Sequence, residues 1–164
     1  MRKIIYVITV MLLCMPVFAG SKKKADKDTE LFRYELECAG NGTQGTYLVK
    51  VWSYSKNKKV AAEQCMKNAV HGVIFKGFTG GDGCVAQRAI AARAGVEQEY
   101  ADYFKSFFGD KGEYYKYVSA TSAPTEIVKV GKQYKVGMIV SVKKDELRKA
   151  LEQAGVIRSL GSGF

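Results

Sequence analysis

YLVKVWSYSKNKKVAAEQCMKNAVHGVIFKGF, residues 47–78, decides the reading of this chain. Tyr47, Val49 and Val51 alternate with Leu48, Lys50 and Trp52, the two-residue period of a strand built from residues that suit a pleated surface. Ser53 to Lys59 is polar and reads as a turn, with Asn57 placed to cap a helix by accepting a backbone N–H. From Val60 onward apolar residues recur at helical spacing, Ala62, Met66, Ala69 and Val73, with Cys65 beside them, while Glu63, Gln64, Lys67 and Asn68 fall mostly off that stripe. Small residues along the stripe let the helix lie close to a sheet. Gly72 is expected to loosen the helix end, because it has no Cβ to oppose a left-handed turn. The unit is strand, turn and helix, and it carries no catalytic group.

On its N-terminal side, Leu31 to Cys38 sets Phe32, Tyr34, Leu36 and Cys38 on one face and Arg33, Glu35 and Glu37 on the other, a half-buried strand. Gly40-Asn41-Gly42 turns the chain, which returns near Thr46 into the Tyr47 strand as a hairpin. On the C-terminal side, Gly77 to Gly83 holds four glycines in seven residues. A mobile surface loop or lid is the preferred reading. An anion-holding loop is the alternative, although the Gly-Lys-Ser/Thr ending of a phosphate loop is missing. Val85 to Ala94 is alanine-rich and either helical or irregular.

Val96 to Phe108 reads as a second amphipathic helix, with Val96, Tyr100, Phe104 and Phe107 on its stripe. Glu97, Glu99 and Asp102 complement the helix dipole better than they make a metal or acid–base site. Glu113 to Ser119 is expected as a strand with Tyr114, Tyr115 and Tyr117 on both faces; packing against the aromatic helix just before it is the preferred reading, and an exposed aromatic strip able to stack on bases or sugars is the alternative. After a polar link containing Pro124, Glu126–Val130 and Gln133–Val142 form a hairpin about Gly131-Lys132. In the second strand Tyr134, Val136, Met138, Val140 and Val142 point one way, and only Ile139 breaks the polar face. Lys143 to Ala154 is a helix with Leu147, Ala150, Leu151 and Ala154 on its stripe, stopped by Gly155, with Val156 and Ile157 folding back on it. Hairpins separated by helices predict an α+β fold, an antiparallel sheet with helices packed mainly on one face.

The chain has 164 residues, 47% hydrophobic and 26% charged, the composition of one folded domain. Residues 1–19 read as a signal peptide: Arg2 and Lys3, then the apolar run Ile4 to Phe18, then Val17-Phe18-Ala19 as the cleavage signal. The run is short for a span, which needs about 20 residues, and Cys14 follows Leu13 rather than a small residue, against a lipid-modified start. Residues 20–30 form a flexible basic leader, 31–157 a single α+β domain and 158–164 a loose tail. The full chain has 26 cations and 16 anions, and cleavage near Ala19 removes two cations, leaving 24 minus 16, or +8. Export places Cys38, Cys65 and Cys84 among oxidants, so one disulfide is possible in any of three pairings; the cysteines can equally be small buried hydrophobes.

His71 is the one histidine, short of a zinc set, and a structural role near the helix end is preferred. Cys65 lies six residues before it, toward the opposite side of a helix, which argues against a Cys–His pair. No cofactor motif is present, so no cofactor and no catalytic or metal residue is assigned. The candidate interaction surface is Trp52 and Tyr54 with Tyr114, Tyr115 and Tyr117, together with the loop residues Gly77, Phe78, Gly80, Gly81 and Asp82.

Ala61-Ala62-Glu63-Gln64-Cys65-Met66-Lys67-Asn68-Ala69-Val70 resembles the alanine-periodic helix of small exported domains of the LPP20/FlgT N-terminal type. In those domains too a late strand leads into a short helix, as Tyr134 to Val142 leads here into Leu147-Arg148-Lys149-Ala150-Leu151-Glu152. Residues Asn68 to Gly77 and Tyr103 to Phe108 are similar to an exported family from Bacteroidales placed near CsgG-like secretion components. The resemblance covers Tyr47 to Ile157 and rests mostly on core pattern. It implies an α+β domain of the cell envelope that binds a protein partner, CsgG-like among the candidates, and it transfers no catalytic residue. The Gly77–Gly83 insert and the missing lipobox cysteine depart from it.

The expectation is therefore an exported periplasmic protein–protein interaction module, accessory to an envelope assembly or secretion complex. A binder of anionic polymer, glycan or (less favoured) nucleic acid, working through lysines and tyrosines, is the alternative; a thiol-dependent enzyme is the last.

Overall fold

The computed structural model describes residues 33–59, 62–81 and 84–159. The segments expected as signal peptide and basic leader, the start of the first expected strand, Val60, Ala61, Asp82, Gly83 and the end of the tail lie outside them.

Five strands form one antiparallel sheet: β1 (Tyr34–Gly40), β2 (Tyr47–Ser55), β3 (Val118–Ala120), β4 (Glu126–Val130) and β5 (Gln133–Val142). The order is β1-β2-β5-β3, with β4 also paired to β5. Register follows the alternation read from the sequence: Leu36 faces Val51, Val51 faces Met138 and Val49 faces Val140, all on the core side. The α+β expectation, with its antiparallel sheet, holds.

β3 and β4 share one edge of β5 and run in the same direction: Val118 pairs with Val142, and Glu126 with Gly137. They are two halves of an interrupted edge strand. At the break Thr121 donates from both its amide and its hydroxyl to the Ile139 carbonyl, at 3.3 and 2.9 Å. Pro124, with no N–H to give a ladder, lies in the link.

Four α-helices accompany the sheet: α1 (Ala62–Phe75), α2 (Val96–Glu99), α3 (Ala101–Phe107) and α4 (Lys144–Gln153). Helix α1 lies across the core face, and its burial exceeds the expected stripe. Gln64 and Asn68 are buried along with Cys65, Met66, Ala69, Val70, Val73 and Ile74. The polar pair is satisfied, since Gln64 Nε2 donates to Asn68 Oδ1 at 3.1 Å and Asn68 Nδ2 to the buried Ser53 Oγ at 2.9 Å. The other flank of α1 meets aromatics from α3, with Phe75 4.8 Å from Phe104 and His71 5.6 Å from Phe108 between ring centroids. In α4, Leu147 and Leu151 are fully buried in the same core. Its end is the expected Schellman turn: Val156 N donates to Leu151 O, Gly155 N to Glu152 O, Gly155 has φ +71°, and Val156 is buried.

Local expectations fail at three places. Gly72 does not end α1. It is an interior helical residue at the point of closest approach to β1, where a Cβ would collide with the Leu36 and Tyr34 side chains. Termination falls to Gly77, at φ +70°, whose amide donates to the Gly72 carbonyl. Glu113 to Tyr117 is a 3-10 helix rather than a strand, and only Val118–Ala120 joins the sheet. The expected helix from Val96 to Phe108 is broken at Tyr100, where φ is −107° and ψ 32°. The expected turn starts late, because Ser53 to Ser55 still belong to β2; Asn57 Oδ1 accepts from the Lys59 amide at 3.0 Å, and the residues between it and α1 lie outside those described.

Candidate interaction surface and buried network

Two faces of the sheet carry different chemistry. The outer face of β2 and β5 presents Lys50, Trp52, Tyr54 and Lys135, with Glu35 beside them on β1 and Glu126 on β4. Trp52, placed by sequence in the exposed surface, is instead buried, 7% exposed. It lies opposite Gly137, where a Cβ would fall 2.5 Å from the indole ring. The bare backbone of β5 therefore forms the bed of the ring. Lys50 Nζ and Lys135 Nζ cover it at 4.4 and 4.8 Å from the ring centroid. Those two ammonium groups are held in turn by Glu126 and Glu35, at 2.8 and 2.7 Å. Tyr54 donates to Glu35 at 2.7 Å. Both contacts hold the Glu35 carboxyl below its usual range, with the Lys135 hydrogen bond the larger cause.

Gly137→Ala is expected to force the ring of Trp52 off its bed at a cost of about 1–3 kcal/mol. The chain has a single tryptophan, so its fluorescence reports the site alone. The expected result is a red-shifted maximum and a lower urea midpoint; an unshifted maximum refutes this packing.

Among the tyrosines proposed for the surface, Tyr114 is buried, 2% exposed, under α1 and α3. Tyr117 is half-buried and stacks on Phe107, with centroids 6.0 Å apart. Tyr115 alone is exposed. The 3-10 backbone explains this, because its three-residue turn sends Tyr114 and Tyr117 to one side and Tyr115 to another. No strip of three tyrosines faces solvent.

The glycine-rich loop is not a free lid over its described part. Phe78 and Gln87 exchange backbone hydrogen bonds, both at 2.9 Å. Thr79 bridges to Glu37 of β1, and Cys84 is disulfide-bonded to Cys38. Gly77 is buried, Phe78 packs edge-on against Tyr47, and Gly80 and Gly81 are exposed. Of the three open pairings the structure has Cys38–Cys84. Cys65 is free and buried; burial pushes its thiol up, with the Ser53 hydrogen bond opposing, which disfavours the reactive thiolate.

The two edges of the sheet differ. At the β1 edge this clamped loop attaches at Glu37 and Cys38. At the β5 side, every residue of β4 is exposed, Ile127, Val128 and Val130 included, and β4 pairs only with β5 among the described residues. Sequence reasoning missed this strand as a surface, although the three apolar residues in EIVKV beside a Gly-Lys turn were legible.

His71, the sole histidine, is buried between two partners on separate elements. Its Nδ1 is 2.5 Å from Tyr34 Oη, and its Nε2 is 3.0 Å from Glu97 Oε1. An ionised carboxylate only accepts, so Nε2 carries the proton and Nδ1 accepts from the tyrosine hydroxyl. One neutral tautomer satisfies both contacts. Burial pushes the Tyr34 hydroxyl far up, with Glu97 adding to it, and keeps it a donor. Burial is also the larger influence on His71 and lowers its pKa from 6.5, against the opposing pull of Glu97.

The unfolded chain binds a proton at His71 below about pH 6.5 and the folded chain does so only at lower pH. The contribution is full above that value and is lost as pH falls toward the depressed folded pKa. Urea midpoints measured from pH 7.5 to 5 are expected to fall in the wild-type and to flatten in His71→Gln. An unchanged slope in the variant places the titration elsewhere.

The network joins α1, β1 and α2, with Tyr34 and His71 buried and Glu97 partly exposed at its outer end. Among the described residues no group of three His, Cys, Asp or Glu side chains stands together to hold a metal ion. No helix in the described residues is long and apolar enough to cross a membrane. No family model matches this chain, and neither the curated proteins nor the solved structures contain a significant match to it.

Proposed function

We propose that the protein is an exported, periplasmic protein–protein interaction module, accessory to a cell-envelope assembly or secretion complex. The observation that carries this reading is the open β4 edge. It offers unpaired backbone groups flanked by exposed Ile127, Val128 and Val130, and such an edge accepts an extended strand from a partner. The Cys38–Cys84 disulfide supports the compartment, since such bonds persist where thiols are oxidised. Cleavage near Ala19 belongs to the same proposal, as does kinship with LPP20/FlgT-type domains and a CsgG-like partner. The burial of Tyr114 and of Cys65 weakens the support for the polyanion and thiol-enzyme alternatives.

Val128→Lys with Val130→Lys places charge on an exposed edge, the usual device that blocks strand addition. Surface changes of this kind alter stability by within about 0.5 kcal/mol. In crosslinked cells the wild-type is expected to retain an envelope protein at low and high salt, and the double variant to lose it. Retention by the variant refutes the edge. Recovery of polyanions alone, lost at high salt through counterion release, favours the polymer reading.

A further inference from the structure

Three stretches of chain meet around a cavity of about 800 Å³. They are the end of the irregular run after Cys84, the start of α2, and the Schellman end of α4. Backbone bonds fix the walls: Ile90 N to Val73 O at 3.1 Å, Ala91 N to Ile74 O at 2.9 Å, and Val156 N to Leu151 O at 2.9 Å. Tyr100 Oη ties two walls together by donating to the Gly155 carbonyl at 2.9 Å. Ala91, Val96 and Val156 are buried beneath the floor, and the apolar side chains open to the space are half-buried Ile90 and Ile157 with exposed Ala92. The rim is cationic, with Arg93, Arg148 and Arg158 against the single lining carboxylate of Glu99.

These arginines are unequally engaged. Arg93 is held by Glu99 at 2.6 Å, and Arg148 reaches Glu152 only at 3.5 Å. Arg158 has no ion-pair partner among the described residues, beside an opening where small side chains, Ala91 and Ala92, leave the space unfilled. The volume falls in the range of small-molecule sites, about 300–1,000 Å³. A guanidinium fork matches a carboxylate or phosphate in shape as well as charge.

We propose that this pocket binds a small anionic amphiphile, a carboxylate or phosphate head on Arg148 and Arg158 with an apolar body against Ile90, Ala92 and Ile157. The head chemistry has two sources, a free amphiphile or the headgroup of a membrane lipid. The pocket is remote in sequence from β4, so this inference stands apart from the interaction reading.

The test titrates the full chain with octyl phosphate and octanoate below their micelle concentrations. Inorganic phosphate serves as the head alone and 1-octanol as the body alone. Saturable one-to-one binding of an amphiphile is expected, tighter than either fragment. Loss of one charge-assisted contact in Arg148→Ala or Arg158→Ala is expected to weaken it by about tenfold or more. Ala92→Phe, at an exposed lining position, fills the space without removing charge and is expected to weaken the amphiphile but not inorganic phosphate.

Thermal melts confirm that each variant is folded. Phosphatidylglycerol vesicles that compete with octyl phosphate identify a membrane lipid as the source; no competition, with octyl phosphate still bound, identifies a free amphiphile. The proposal is overturned by an absence of saturable binding, by inorganic phosphate binding as tightly as octyl phosphate, or by affinities unmoved in all three variants.

Discussion

Cys38→Ser with Cys84→Ser is expected to cost about 4 kcal/mol of stability, the chain-entropy value for a crosslink of this length. The bond spans a sequence separation of 46 residues and joins β1 to the glycine-rich loop across α1. Without it the unfolded chain gains the conformations that the crosslink forbids. Native domains are stable by about 5–15 kcal/mol, so the loss is a large share of the total. Urea unfolding checks it: the midpoint falls, and the m-value rises as the unfolded state expands. Both cysteines are replaced together because a single variant leaves a thiol free to mispair with Cys65. A loss below about 1 kcal/mol would show that the loop opens locally before the core does, which hydrogen exchange at Phe78 and Gln87 would then reveal.

Leu151→Asp is expected to cost at least about 3 kcal/mol, because a carboxylate replaces a fully buried side chain with no cation to meet it. Leu151 also accepts the Val156 amide that closes α4, so the fault spreads to the helix end. Burial raises the pKa of the new carboxyl, and protonation relieves part of the penalty. The deficit against wild-type is therefore expected to be smaller at pH 5 than at pH 7.5 in denaturant melts. Lys149→Ala, on the exposed side of the same helix, is expected to change stability by within about 0.5 kcal/mol. An unchanged melt for Leu151→Asp would refute the placement of α4 in the core.

The misread aromatics share one cause. Trp52 stands where the local pattern marks it as outward-facing, Tyr114 lies in a segment expected as a strand, and both are covered by residues distant in the chain. Trp52 is buried because Gly137 leaves room beside it and Lys50 and Lys135 reach over it. Tyr114 is buried because the chain after α3 turns as a 3-10 helix and folds back on α1. Neither cover can be inferred from the few residues on either side. His71 is similar: its position on a helix was legible, whereas its two partners come from positions 37 residues before and 26 after it.

By itself the sequence determined the strands β1, β2, β4 and β5, the inward faces of β1, β2 and β5, the helices α1 and α4, and the Schellman stop at Gly155. In each case the signal is periodicity or a single special backbone angle, set by atoms within a turn or two of the chain. Tertiary structure alone decided the Cys38–Cys84 pairing, the interior role of Gly72, the open edge at β4 and the burial of Trp52. Each of those depends on which distant segment arrives at a given face, and the free energy of that arrival is shared over many contacts rather than written at one position.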